Sequence, residues 1–542
     1  MLASLQYSRI MQLHQDFSLA SEGYIHAIHL LPQAVWIGLD VVSQLKQISY
    51  ILQSFGCDAA ACMFSRAEFE HNHEQEHLGH AVEILDQTRL ILWSQASNLQ
   101  QDLEDLCLVE PRLAEELDHV GRTLGQSCFR DPNSVLSEVE EQNYHRCAEK
   151  WEELVLSTWR LLGFDHLLLL LPISKLGQAA KGGPVVVVNV SEYRSDAVII
   201  SPNGHLELLP LSPKTEKHVN AFAERRQKII RSGRSRDGHL WEDDPKTENE
   251  LFLEVLYETW SLIGEPIVKK FEESGILGSE LCSTSRVWWC LTRRLAFLPI
   301  HACLPRPVKA DIQPIGMMDI IVSSYTPTLS TLLRTVRQKT ARPFHLLAIG
   351  QPESKCHSPL SYVTEEIEFI RKLVPNDTTV LKNSNANVDA VNAALATCTW
   401  THFACHGIQN HEDPLESGLL LHNNQPLTLS RIVQNSLEEV EFAFLSSCES
   451  ATGSKLMPNE SVHLAAGLQF LGFHGVIGTM WSVRDKDAFY IVKAVYEQIL
   501  GNGASRATAS DAALALHRAV CHLHDEEKVP LTQWVPFIHF GF

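Results

Sequence analysis

This 542-residue sequence lacks two features that would assign it to common protein classes. It has no excess of basic residues, because 45 Lys and Arg stand against 65 Asp and Glu, a formal net charge of −20. A nucleic-acid partner requires a basic surface that replaces the counterions of phosphates, so we expect no nucleic acid. It also has no membrane-length apolar run: LLLLLP at 167–172 is far shorter than the roughly 20 residues that span a bilayer. We therefore expect no membrane anchor.

Secretory and cofactor-binding signals are also missing. The start, MLASLQYSRIMQLHQDF, has neither the uninterrupted apolar core nor the small-residue cleavage site of a signal peptide, so we expect a cytoplasmic protein. The 13 cysteines are odd in number and form no CxxC pair, which favours reduced thiols, mostly in the core. Neither a phosphate-binding glycine motif nor a serine-elbow motif appears, so nucleotide hydrolysis and serine esterase chemistry are excluded and no cofactor is expected.

The first third of the chain has the periodicity of α-helices. Hydrophobic residues recur at helical spacing between about residues 17 and 160, as in HAVEILDQTRLILWSQ. Small residues beside aromatic or large ones, Gly23-Tyr24 with Ala27 and Leu78-Gly79 with Ala81, resemble tetratricopeptide helices, although no regular 34-residue period can be laid out. We predict a helical, tetratricopeptide-like region over 1–175.

The residue pattern changes near residue 184, where the β-branched run in PVVVVNVSEYRSDAVIISPNG predicts the start of a β-sheet. From residue 287 onward short apolar runs alternate with helical segments, for example FHLLAIG, WTHFACHG, VEFAFLSSCES and GVIGTMWSV. This alternation predicts an α/β fold with a mostly parallel sheet flanked by helices. We divide it into an N-terminal part, 176–330, and a C-terminal part, 331–542.

Two neighbouring predicted strands end in residues that suit nucleophilic chemistry. The strand at 400–405 is followed by His406 and Gly407, and the strand at 440–447 by Cys448. Functional groups gather at the carboxyl ends of parallel strands, and an imidazole can deprotonate a thiol and stabilise the thiolate. The amides of Gly407 and Cys448 would then form an oxyanion hole. With 26 histidines and 13 cysteines, spacing alone equally fits a core cysteine and a loop histidine without chemical role.

Longer blocks of sequence resemble a known family. THFACHG, DPLESGLLL, EFAFLSSCESATG and GVIGTMWSVRDKDA are similar, in order and spacing, to the blocks of the CHAT family of caspase- and separase-like peptidase domains. The closing WVPFIHFGF resembles the version that fungal proteins attach to tetratricopeptide repeats. The resemblance implies a caspase-like fold over 331–542, preceded by a pseudo-caspase-like part over 176–330, with His406 and Cys448 as the catalytic pair.

Two functions are compatible with this resemblance. The first is an intracellular cysteine endopeptidase that cleaves a protein or peptide substrate and whose helical region binds a regulatory protein. The second is an inactive scaffold or sensor that acts through protein–protein interaction. Fold similarity alone does not choose between them.

Separases are similar to this chain at TMWSVRDKDA, which makes Asp485 and Asp487 candidates for the wall of an S1 pocket that receives a basic side chain. A carboxylate selects arginine through paired charge-assisted hydrogen bonds. The alternative is helix capping by Asp485, a residue favoured at that position. The basic stretch at 225–238 would suit self-cleavage by such an enzyme, or it is a solvated helix end.

Other histidines and cysteines have simpler interpretations. His73, His77 and His80 fall on one helical face, yet no thiolate or carboxylate pattern completes a zinc site, so we expect no metal. We predict that His301 is a hydrogen-bonded structural histidine and that Cys405, which alternates with His406 along an extended strand, points into packing.

Overall fold

A computed structural model describes most of the chain, in segments separated by gaps. The described residues are 1–30, 41–89, 104–128, 138–161, 171–222, 245–277, 285–308, 314–337, 342–355, 357–410, 414–433, 437, 440–447, 463–501, 503, 507–525 and 529–542. They form two units, Met1–Leu176 and Gly177–Phe542. None of the described helices is both long and apolar enough to cross a membrane.

The described part of the first unit consists of helices. They are α1 (Leu2–Leu13), α2 (Phe17–His29), α3 (Val41–Phe69), α4 (Glu74–Thr88), α5 (Glu104–Val109), α6 (Pro111–Cys128), α7 (Glu138–Thr158) and α8 (Ile173–Leu176). Tyr24, Ala27, Leu78 and Ala81 are fully buried, as expected for the packed face of an amphipathic helix. Gly23 lets α1 approach closely, because a Cβ there would lie 2.3 Å from Ser8 Oγ. The predicted helical region is confirmed, whereas its tetratricopeptide character stays a prediction.

The second unit is built on β-strands connected by helices. Its strands are β1 (Val185–Val190), β2 (Ser195–Ile200), β3 (Leu206–Pro210), β4 (Arg286–Leu291), β5 (Val322–Tyr325), β6 (Leu346–Gly350), β7 (Thr378–Lys382), β8 (Trp400–Ala404), β9 (Gly407–Ile408), β10 (Gly418–Leu420), β11 (Pro426–Thr428), β12 (Phe442–Ser446), β13 (Gly475–Thr479) and β14 (Phe537–Gly541).

The helices of the second unit lie between these strands along the chain. They are α9 (Pro245–Thr259), α10 (Glu265–Glu273), α11 (Met317–Ile320), α12 (Leu329–Arg337), α13 (Val363–Leu373), α14 (Val388–Leu395), α15 (Leu429–Val433), α16 (Leu464–Phe470), α17 (Asp485–Leu500), α18 (Ala512–Asp525) and α19 (Leu531–Trp534). A further helical segment covers 214–222.

Eleven of the described strands form one sheet, in the order β3-β2-β1-β4-β5-β14-β13-β12-β8-β6-β7. Only the β1–β2, β2–β3 and β13–β14 pairs within it are antiparallel. The predicted mostly parallel α/β sheet is therefore confirmed. The division expected at residue 330 stays a prediction, and the sheet runs continuously past it because β5 pairs with β14.

Residue type explains why the central strands form. β1 consists of five valines and one asparagine, and all six residues are buried, as are all five residues of β8 and of β13. Alternate residues of a strand point to opposite faces, so a strand buried along its whole length is covered on both faces. The outermost strand β7 is only partly buried.

Four adjacent strands determine where the candidate site lies. β6, β8, β12 and β13 are consecutive in the sheet and mutually parallel, so their carboxyl ends meet at one edge. Beside this edge β9, β10 and β11 form a separate antiparallel sheet of three short strands, which begins at Gly407. The loops that leave these strands carry the candidate residues.

Candidate active site

His406 lies two residues beyond the end of β8 and is 8% exposed. Its Nε2 is 3.0 Å from the backbone carbonyl oxygen of Ser358, in the loop that follows β6. A carbonyl oxygen only accepts hydrogen bonds, so Nε2 carries the proton. In the neutral imidazole the basic nitrogen is therefore Nδ1. The Ser358 carbonyl thus fixes both the orientation and the tautomer of the ring.

The segment 351–362 that supplies this carbonyl is itself held by neighbouring contacts. Its first residue, Gln351, donates its N–H to the carbonyl of Ala404 at the end of β8 (2.9 Å). Asn424, between β10 and β11, has a positive φ of 60° and its Oδ1 accepts hydrogen bonds from Ser354 Oγ and the Lys355 N–H. Left-handed asparagines are strained positions that persist where surrounding structure fixes them. The exposed ring of His357 stacks on His406 with a centroid distance of 4.8 Å.

The backbone amide of Gly407 is not used in the pairing of β9 with β10. Gly407 faces Leu419 across the β9–β10 pair, and the N–H of Leu420 donates to the carbonyl of His406 (2.8 Å). In an antiparallel pair this pattern makes Gly407 and Leu419 a non-hydrogen-bonded pair, so the N–H of Gly407 points away from β10.

Cys448 lies outside the residues that the structure describes, and so does the second amide of the expected oxyanion hole. The residue before it, Ser447, is described and buried. Thr479 Oγ1, on β13, donates a 2.8 Å hydrogen bond to the Ser447 carbonyl. β8 and β12 are in parallel register with Ala404 opposite Ser446, so His406 and Cys448 each follow their paired residue by two positions.

The two candidate aspartates begin α17, which follows β13. Asp485 is partly exposed, and its Oδ2 accepts the N–H of Tyr362 over 2.6 Å. It therefore contacts the start of α13 rather than capping its own helix, whose N-cap is Arg484. Asp487 is buried, and its Oδ2 accepts a 2.5 Å hydrogen bond from Arg484 Nε. The structure thus gives each carboxylate an internal partner.

His301 and Cys405 have structural contacts. His301 Nδ1 is 2.7 Å from the hydroxyl of Tyr325 and Nε2 is 2.9 Å from the Val535 carbonyl, and burial lowers the pKa of His301 to about 4. Cys405 is 1% exposed, so the prediction that it points into packing is confirmed.

Two of the three histidines on the helical face considered for zinc, His73 and His77, pair with carboxylates. His73 Nδ1 lies 3.0 Å from Glu76 and His77 Nε2 lies 2.9 Å from Glu70. Across the part of the chain that is described, no group of three or more His, Cys, Asp or Glu side chains is arranged to hold a metal ion.

Sequence reasoning missed three buried polar residues beside the site. His402, on β8, is hydrogen-bonded to Glu366 of α13 and to Tyr496 of α17. A histidine inside a predicted buried strand was the available signal for His402. Nothing in the sequence marks the Ser358 carbonyl as the group that orients His406, because every residue has a backbone carbonyl.

A helical region followed by a mostly parallel sheet with flanking helices belongs to the caspase-like α/β class of fold. A family model of the CHAT domain matches residues 254–542, more than half of the chain. The chain belongs to the CHAT domain family.

The chain is similar to several solved structures. One structure of the Saccharomyces cerevisiae separase–securin complex is 12% identical, with 96% of this chain and 40% of that chain covered and a TM-score of 0.50. A second structure of that complex is 10% identical, with 100% and 50% covered and a TM-score of 0.48. The complex of Porphyromonas gingivalis RgpB pro- and mature domains is 10% identical, with 52% and 69% covered and a TM-score of 0.35.

At 12% identity the first of these likenesses shows the fold alone. The chain spans less than half of the separase chain in the first of these structures. No curated protein matches it.

Proposed function

We propose that this chain is a cysteine endopeptidase with Cys448 as nucleophile and His406 as base. The observation that carries the proposal is the orientation of His406 by the Ser358 carbonyl, at the carboxyl end of a strand whose parallel neighbour leads into Cys448. Family membership supports the same pair, since HFACHG and LSSCES lie within the matched range and resemble the CHAT blocks that carry the histidine and the cysteine.

The chemistry follows from the tautomer of His406. Nδ1 accepts the proton of the Cys448 thiol, and the thiolate attacks the scissile carbonyl carbon. The amides of Gly407 and Cys448 donate to the resulting oxyanion. His406 then returns the proton to the leaving amine, which gives a thioester. Water, deprotonated by His406, attacks that thioester and releases the acid product with Cys448 reprotonated.

We propose a basic residue at P1 of the substrate, received by Asp485. Arg484 pairs with the buried Asp487, whereas Asp485 is partly exposed and accepts the N–H of Tyr362, next to the segment that orients His406. Ser358, the partner of His406, and Tyr362, the partner of Asp485, are four residues apart in the chain. Their Cα atoms are therefore at most about 14 Å apart. One short segment therefore contacts both the proposed base and the proposed P1 partner.

The helical unit suits a regulatory partner. Tyr7, Ile10 and Leu13 are exposed apolar residues on one side of α1. Separase was solved in a complex with securin, a precedent for a protein partner in this fold. A cytoplasmic location would keep the nucleophilic thiol reduced. The stretch at 225–238, considered for self-cleavage, lies in a part of the chain that the structure does not describe.

A covalent probe tests the peptidase. We expect an acyloxymethyl ketone with arginine at P1 to label the wild type at Cys448, and to label neither Cys448→Ala nor His406→Asn. Cys405→Ala is the matched control, because it removes the buried neighbouring thiol and should label like the wild type. If the wild type is not labelled under any activating condition, the scaffold function replaces the enzyme. If labelling requires an added protein ligand, the helical unit controls access.

A further inference from the structure

His402 lies on β8, four residues before His406 in the chain. It is fully buried inside the second unit. Its register neighbour on β12 is Phe444, whose ring centroid is 5.3 Å from that of His402. An imidazole at this position requires polar partners, because a buried polar group without hydrogen bonds is destabilising.

Those partners come from two different helices. His402 Nε2 is 2.7 Å from Oε1 of Glu366, a 1% exposed residue of α13. His402 Nδ1 is 3.2 Å from the hydroxyl of Tyr496, a fully buried residue of α17. Burial, reinforced by the negative charge of Glu366, raises the pKa of Tyr496 well above its ordinary value, so the hydroxyl stays protonated and donates to Nδ1. The ring then donates its Nε2–H to the carboxylate.

The same two helices begin at the candidate site. α13 is preceded by segment 351–362, whose Ser358 carbonyl orients His406, and α17 begins with Asp485. The starts of the two helices are joined by the hydrogen bond from the Tyr362 N–H to Asp485 and by the stacked rings of Tyr362 and Phe489. A shift of either helix would therefore move a group that the proposed peptidase needs.

We propose that His402, Glu366 and Tyr496, the His402 clamp, are positioning residues that fix segment 351–362 and Asp485 relative to His406. The catalytic part of this inference rests on the proposed peptidase function. Stability alone explains the clamp poorly, because replacing hydrogen-bonded buried partners by apolar groups of the same shape can be nearly neutral or stabilising. Apolar packing lacks the directional bonds with which one imidazole links both helices.

Single-atom and truncating variants separate positioning from general stability. Tyr496→Phe removes only the hydroxyl, and Glu366→Ala removes the carboxylate, with Glu366→Gln as a conservative variant that keeps an acceptor oxygen. Matched controls lie on the same helices outside the clamp: Tyr490→Phe on α17, where the residue is 41% exposed, and Glu368→Ala on α13, which loses partly exposed pairs with Lys382 and Arg371. The readouts are amide hydrogen exchange of 351–362, and kcat and KM on an arginine peptide well below the melting temperature.

We expect Tyr496→Phe and Glu366→Ala to speed exchange in 351–362 by about fivefold or more over the controls, because the segment loses an anchor. We expect kcat to fall by about tenfold with KM within about twofold, since misplacing a catalytic group affects the reacting geometry. Glu366→Gln should recover most of both. Exchange and kcat within twofold of Tyr490→Phe and Glu368→Ala would overturn the clamp.

The two proposals fail in different ways. If the wild type neither hydrolyses peptides nor accepts the probe while exchange still rises in the clamp variants, the peptidase is wrong and the clamp stands as an organiser of the loop. If the wild type is active and the clamp variants match their controls, only the clamp is wrong.

Discussion

Acid should destabilise the second unit through histidines that are buried without charge. Burial lowers the pKa of His463 to about 3 and that of His301 to about 4, against an ordinary value of 6.5. His463 is also the N-cap of α16, where its Nδ1 accepts the N–H of Ala466 over 3.2 Å. Protonation of Nδ1 would remove this acceptor, so the folded state excludes the proton.

The sign and size of the effect follow from linkage. The folded-state pKa lies below the unfolded one, so each histidine contributes its full stability above about pH 6.5 and loses it as the pH falls towards the folded value. One pKa unit corresponds to about 1.4 kcal/mol, so at pH 5 each histidine lowers the free energy of unfolding by about 2 kcal/mol relative to neutral pH. Together His301 and His463 account for a loss of about 4 kcal/mol.

His463→Asn isolates the contribution of His463 to the acid sensitivity, because asparagine is a favoured N-cap that does not titrate. Urea unfolding at pH 5, 6 and 7, followed by tryptophan fluorescence, should show a loss between pH 7 and 5 that is about 2 kcal/mol smaller than in the wild type. His205→Asn, an exposed position, is the control and should keep the wild-type slope. An unchanged slope in His463→Asn would refute the assignment of acid sensitivity to that buried ring.

Two further substitutions test the surroundings of the site. Gly418→Ala should destabilise the chain by about 1–3 kcal/mol in thermal unfolding, because its Cβ would lie 2.5 Å from the Leu427 carbonyl oxygen. In the control Gly177→Ala the new Cβ has no atom closer than 4.0 Å. Equal melting temperatures of the two variants would contradict the close approach of β10 and β11. Asp485→Asn keeps an acceptor for the Tyr362 N–H, so we expect little loss of stability but a fall in kcat/KM of more than about tenfold for arginine peptides and a smaller one for neutral P1 peptides. An equal fall for both peptides would restrict Asp485 to anchoring the loop.

Strand and helix positions were largely predictable where burial is continuous. The run PVVVV begins β1, and the predicted strand at 400–405 corresponds to β8, Trp400–Ala404. Within the closing WVPFIHF, Trp534 ends helix α19 and β14 starts at Phe537. Five apolar residues in a row carry no helix-or-strand periodicity, so only tertiary pairing with β13 decides where the strand starts.

The small sheet and the internal contacts of the site were not predictable in the same way. β9, β10 and β11 have two or three residues each, too few for an alternating pattern, and they exist because they pair with one another. Strand ends did indicate His406, and its environment confirms an oriented imidazole. Helix capping by Asp485 was a local alternative, whereas its observed partner, Tyr362, lies 123 residues away and gives no local signal.

The central claim is that His406 serves as the base for Cys448. The most direct measurement is the distance between Cys448 Sγ and His406 Nδ1 in a crystal structure of the full chain. We predict a separation of about 4 Å or less, allowing for the looser geometry of an unliganded enzyme, with Nε2 still bonded to the Ser358 carbonyl. A separation beyond about 10 Å, or a ring whose Nδ1 faces away from the sulfur, would contradict the pair.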